Sequence, residues 1–218
     1  MIRTRALYVM VSQTQTGIAR MIRAVSGYPY NHVSVTLDPD LREWYSFARY
    51  LHDAPLYSGF VRESPARLCG DAEDIQVRIY RVQIPEVHAV SLEELVPQAN
   101  NPDSGLIYNH FDAVANAMGF RLPVPRCHTC LSFACSLLDQ EHTSIESLCQ
   151  ALEPHMIYEG FLSQVIPPDP LPDENYFSPI GLVHSTISST VQLSTLLLRT
   201  VCHGVDSYMS HRSRRTVR

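Results

Sequence analysis

The stretch HVSVTLDPDLREWYSFAR, residues 32–49, reads as two strands joined by a turn. Val33, Val35 and Leu37 alternate with His32, Ser34, Thr36 and Asp38, the period-two pattern of a strand with one apolar and one polar face. Asp38-Pro39-Asp40 is turn chemistry, and Glu43–Arg49 returns as the second strand of a hairpin. His32 opens the first strand on its polar face, directly after the turn residues Tyr28–Asn31. A strand fixes the direction of such a side chain, so among the ten histidines this is the one placed to work as a base.

Outward from this hairpin, Ala6–Ser12 predicts a buried strand and 16–27 a helix, with Ile18, Met21, Ile22 and Val25 as its apolar stripe and Gly27 as its C-cap. Residues 51–74, rich in Pro, Gly and Ser, read as a loop, and Ile75–Ile84 as a strand. Helices are expected from Ser91, with Ser91 as N-cap and Glu94 at the capping-box position, and over 104–119, 130–140 and 144–152. Met156–Val165 reads as a late strand. From 166 the texture changes to a proline-rich linker, an apolar stretch Val191–Val201 and a basic, serine-rich end. This divides the chain into a domain over 1–165 and a tail over 166–218, expected to be a proline-rich linker with a docking helix plus disorder, which can dock a partner.

The chain has 218 residues, 45% hydrophobic and 18% charged, enough for a core that needs no staples. Seventeen basic residues, all arginine, against 22 acidic ones give a net charge of −5, which supplies no general attraction to nucleic acid. The opening residues lack the apolar length and cleavage site of a secretory signal. No apolar run reaches the length of about 18 residues that a spanning helix needs. No integral membrane segment is therefore expected, and the six scattered cysteines are expected as reduced thiols in the cytoplasm.

Three of those cysteines fall in RCHTCLSFACSLLDQ, residues 126–140. Thr129 is a suitable N-cap, which puts Cys130 in the first helical turn, where free amide N–H groups and the helix dipole favour a thiolate. Leu131, Ala134, Leu137 and Leu138 let the helix be buried while its start faces a cleft. Taken alone, Cys130 reads better as a small buried hydrophobe, which is what most free cysteines are. Cys127 and Cys130 also form a C-x-x-C, but after a proline-broken loop rather than after the early strand of a βαβ unit, where a redox pair belongs. A structural zinc would need a second regular ligand pair, so neither metal nor cofactor is expected.

Taken together, YNHVSVTLD, EWYSFAR and TCLSFACSLLD resemble a bacterial branch of the NlpC-type, papain-like cysteine peptidase superfamily, in its circularly permuted form where histidine precedes cysteine. The matching positions are His32, Ser34, Leu37 and Asp38, then Tyr45, Ser46, Phe47 and Arg49, then Cys130 and Phe133. VSQTQTGIARMI and IYEGFLSQ match an opening and a closing motif, so the resemblance covers about 6–165. It implies an α+β fold, an antiparallel sheet carrying His32 with helices packed on it. It implies a Cys130–His32 pair acting on a peptide or lipid-type substrate, amide or ester. A third residue that orients the imidazole is implied on the strand after the histidine strand, at Ser46 or a neighbour. Asp38 has suitable chemistry but lies six residues along the same strand, roughly 20 Å away at about 3.3 Å per residue. Leu131 and Ser132 depart from the family, which has a serine and then Gln or Glu after the cysteine. That departure keeps open a second expectation, a binding module that retains the fold without turnover, beside the redox alternative.

Overall fold

The computed structural model describes residues 3–15, 27–117, 120–166, 176–179 and 181–216. Its framework is one open sheet of eight strands: β1 (Thr4–Ser12), β2 (His32–Thr36), β3 (Trp44–Arg49), β4 (Ser58–Glu63), β5 (Gln76–Pro85), β6 (Ile107–Tyr108), β7 (Cys127–His128) and β8 (Met156–Phe161). Their order is β7-β6-β4-β3-β2-β1-β5-β8, and only β6 and β7 run parallel. Six α-helices stand among the described residues: α1 (Pro65–Cys69), α2 (Glu86–Leu95), α3 (His110–Ala117), α4 (Cys130–Leu138), α5 (Ile145–Leu152) and α6 (Leu182–Thr216). The fold is α+β with a mostly antiparallel sheet.

Two cores flank the sheet. On one face Leu7, Val9, Val11, Val33, Val35, Tyr45, Phe47 and Phe60 meet apolar side chains of α2, α4 and α5. On the other, Tyr8, Met10, Trp44, Val77 and Ile79 meet Leu68 and Cys69 of α1 and Leu162. Burial on both sides corrects the expected polar face of β2: Ser34 and Thr36 are each 1% exposed. The hairpin turn is built by Asp38. Its carboxylate accepts from the Asp40 and Arg42 N–H groups at 2.9 Å each, and its own N–H donates to Thr36 Oγ1 at 3.0 Å.

Three expectations change. The supposed loop 51–74 contains β4 and α1, the latter capped by Ser64, whose hydroxyl accepts from the Arg67 N–H at 3.2 Å. Ser91 is no N-cap: α2 begins a turn and a half earlier at Glu86, and the Ser91 hydroxyl donates back to the Val87 carbonyl at 2.9 Å. The expected helix over 104–119 starts only at His110, after the short strand β6. The helix predicted over 16–27 lies outside the described residues except at Gly27, whose φ of 69° is the left-handed backbone of a C-cap. Described residues beyond 166 pack against the sheet side of the chain. Tyr176 is buried, and α6 buries Gln192 and Leu196 against β4, β6 and β7.

Candidate active site

Local chemistry explains why α4 starts where it does. The Thr129 hydroxyl accepts from the Ser132 N–H at 2.9 Å, and the Ser132 hydroxyl accepts from the Thr129 N–H at 2.8 Å, a reciprocal capping box. The Ser132 that departs from the family pattern therefore closes the helix start. One turn on, Phe133 meets Phe47 and Phe60 with ring centroids 5.2 and 5.4 Å apart, and Phe47 also meets His128 at 5.2 Å. This aromatic cluster holds the first turn of α4 against β3 and β4. Cys130, at the first helical position, is 7% exposed.

His32 reaches that sulfur. The imidazole and the Cys130 thiol lie close enough to shift each other's pKa, and the backbone N–H groups of Val33 and Leu131 also favour the thiolate. The same ring meets the Glu63 carboxylate, with Nε2 2.6 Å from Oε1. Ser46 completes the group: its hydroxyl donates to Glu63 Oε1 at 2.6 Å and stands 3.1 Å from His32 Nε2. Since Nε2 is occupied by Glu63 and Ser46, Nδ1 is the nitrogen left for the sulfur. The sheet explains the convergence. Trp44 stands opposite Glu63 and Ser46 opposite Val61, so Ser46 and Glu63 project from the same face of neighbouring strands. Ser12 stands opposite His32 and its carbonyl accepts from the Asn31 N–H at 3.1 Å, which fixes the chain just before the imidazole.

The charges reinforce one another. Burial alone would lower the basicity of His32, but the Cys130 thiolate and the Glu63 carboxylate together raise it. Burial alone would raise the Cys130 pKa. The His32 cation, its hydrogen bond and the two backbone N–H groups outweigh that and bring it below the ordinary thiol value. Glu63, against the effect of its burial, is held below the usual carboxylate range by His32 and by the Ser46 hydroxyl. All three shifts favour the charged forms, thiolate, imidazolium and carboxylate. Burial and then the Cys130 charge push the Tyr108 phenol far up, so a neutral O–H donor stays in the neighbourhood of the sulfur.

Of the residues singled out from sequence, Cys130, His32 and Ser46 meet in one place, and Asp38 is spent in its turn. Glu63 is the residue that sequence reasoning missed, because β4 was taken for loop. The only signal for the strand in SGFVRE, residues 58–63, is the adjacent apolar pair Phe60 and Val61. All six cysteines are free thiols. Cys127 has a different partner from Cys130: Arg199 Nη1 lies 3.6 Å from its sulfur, and burial raises its pKa. Among the described residues no group of three His, Cys, Asp or Glu side chains is arranged to hold a metal ion, and no helix is long and apolar enough to cross a membrane. No protein-family model matches the chain, and no curated protein and no solved structure matches it either.

Proposed function

We propose that the chain is a thiol-dependent hydrolase or acyltransferase of the permuted papain-like type, acting on an amide or ester. The placing of the Cys130 sulfur beside His32, which is itself hydrogen-bonded to Glu63, with the sulfur at a helix N-terminus, is the observation that carries this. The Cys130 thiolate attacks the carbonyl carbon, and the carbonyl electron pair moves onto oxygen, near the N–H groups at the start of α4. Collapse of this adduct breaks the bond to the leaving nitrogen or oxygen, which takes the proton held by His32, and leaves a thioester on Cys130. Neutral His32 then accepts a proton from water or another acceptor as that group attacks the thioester, and the thiolate departs. Glu63 and Ser46 hold the ring in one tautomer and orientation throughout. A peptide or lipid-type acyl group both suit this chemistry, and the free thiols suit a cytoplasmic setting.

One observation favours a second reading, a binding module on the same fold: Cys130 is only 7% exposed, and cavities of about 300 and 150 Å³ are lined by other residues. Iodoacetamide labelling of Cys130 as a function of pH separates the two. For the enzyme, labelling stays fast well below the free-thiol pKa of about 8.5, and His32→Ala moves the profile upward. Ordinary thiol reactivity, unchanged in His32→Ala, supports the module. Redox exchange through Cys127 and Cys130 instead requires one dithiothreitol-reversible disulfide between them. Mass spectrometry that finds Cys127 free while Cys130 alone reacts removes it.

A further inference from the structure

Helix α6 docks through one stripe and leaves the opposite one bare. Gln192, Leu196 and Arg199, at i, i+4 and i+7, face the sheet. Gln192 Oε1 accepts from the Ser58 N–H at 2.8 Å, Leu196 is fully buried beside Ile107, Val124 and Cys127, and Arg199 Nη1 donates to the Gly105 carbonyl at 2.8 Å. Away from the sheet, Val183, Ile187, Val191, Leu197, Leu198 and Val201 are each between 54% and 73% exposed.

Ile187, Val191, Ser194, Leu198 and Val201 advance by alternate steps of four and three, the spacing with which one helix grips another. Between Leu182 and Gly204 the only Arg, Lys, Asp or Glu is Arg199, which is turned inward, so two such seams meet without like-charge repulsion. A helix lying on a membrane surface needs a cationic polar face, whereas the polar face here is engaged with the sheet. At these exposures the six side chains offer on the order of 500 Å² of apolar area, the size of the largest patch on a monomer, which is often functional. A pair of copies covers about twice that, near the roughly 1,000 Å² that a specific interface needs.

We propose that α6 is a dimerisation helix whose exposed seam packs against the same seam of a second copy, antiparallel about a two-fold axis. Ser194 sits at the middle of the seam, where a small side chain lets the helices approach closely. Ile187 then faces Val201 of the second copy, and Val191 faces Leu198. The inference does not depend on the proposed chemistry of Cys130.

Sedimentation equilibrium of the full chain, from low micromolar to several hundred micromolar, tests it. The expected result is a weight-average mass rising from 24.6 kDa towards twice that value. The double variant Ile187→Glu, Leu198→Glu is expected to stay monomeric throughout, with its circular dichroism and Cys130 labelling unchanged. A wild type that stays monomeric, or a dimer that the double variant retains, overturns the proposal. So does a wild-type monomer that binds phosphatidylcholine vesicles and loses that binding in the double variant, since lipid would then cover the seam. Copper-phenanthroline oxidation checks the orientation. Exposed Cys202 is expected to give no disulfide-linked dimer, and its ready cross-linking to Cys202 of the second copy would overturn the antiparallel arrangement.

Discussion

Glu63→Gln removes one charge from the middle of the buried line and keeps an oxygen that can accept from His32 Nε2. Both side chains are largely shielded, 13% exposed for His32 and 3% for Glu63, with Nε2 and Oε1 2.6 Å apart. With charge centres about 4 Å apart and an effective dielectric of about 20, their attraction amounts to about 4 kcal/mol. The same carboxylate repels the Cys130 thiolate across the ring, at about twice the distance and so with about half the energy. The thiolate–imidazolium pair therefore loses about 2 kcal/mol, which is about 1.5 units on the Cys130 titration. The assay is the rate of iodoacetamide alkylation at Cys130, followed by peptide mass spectrometry from about pH 4 to about pH 10 to span the carboxylate and thiol ranges. Because the native Cys130 pKa is lowered, the wild-type profile is displaced to the acid side of a free thiol. Glu63→Gln shifts it back toward the free-thiol profile, and His32→Ala, which leaves burial with no cation to oppose it, shifts it further. A Glu63→Gln profile superimposed on the wild type, in a protein with unchanged circular dichroism, would refute the electrostatic coupling of Glu63 to the sulfur.

Three further outcomes are expected. Thr129→Ala breaks the capping box of α4 and costs about 1 kcal/mol, read as a lower urea midpoint at unchanged slope. Gly59→Ala places a methyl group onto the Tyr50 hydroxyl and the Leu106 carbonyl where β4 meets β6; backbone cannot give way as a side-chain tip can, so a loss of about 1–3 kcal/mol is expected in thermal melts. Acid stability follows from Glu63. Its native pKa is depressed, so its contribution is complete above the unfolded value of about 4.3 and is lost as pH falls through the native one. Wild-type stability should therefore drop more steeply with acidification below about pH 4.3 than that of Glu63→Gln, and parallel slopes would show that Glu63 carries no native-state shift.

The hairpin was legible because its two strands alternate and Asp38 punctuates them, and the start of α4 because Thr129 is a good cap. Glu63 was hidden by its own function. A strand that points a carboxylate inward breaks the apolar alternation by which strands are recognised, and Gly59 and Ser58 beside it look like loop residues. The Ser91-x-x-Glu94 pattern misled for the opposite reason. A strong local cap signal lay inside a helix that Glu86–Ala89 had already begun, so the hydroxyl turned back to Val87. Strands of two residues such as β6 and β7 carry no period at all. They exist because the parallel pairing of Ile107 with Cys127 and Tyr108 with His128 brings the approach to α4 onto the sheet.

One cation between a thiolate and a buried carboxylate leaves the line, in its charged form, one negative charge in excess, and burying an uncompensated charge is costly. Arg67 resolves this. The Ser64 cap turns the chain into α1 immediately after Glu63, which brings the Arg67 guanidinium back towards the carboxylate and contributes to its lowered pKa. Arg67 is 6% exposed, its Nη1 and Nη2 donate to the Arg49 and Tyr50 carbonyls at 2.8 and 2.9 Å, and its guanidinium lies 4.7 Å from the centre of the Tyr176 ring. Charges then alternate along four side chains, Cys130, His32, Glu63 and Arg67, and sum to zero, so each member is stabilised by neighbours of opposite sign. The last support comes from beyond residue 165: Arg49 Nη2 donates to the Tyr176 hydroxyl at 2.6 Å, which clamps the ring over Arg67. Thus a residue far down the chain steadies the guanidinium that faces Glu63.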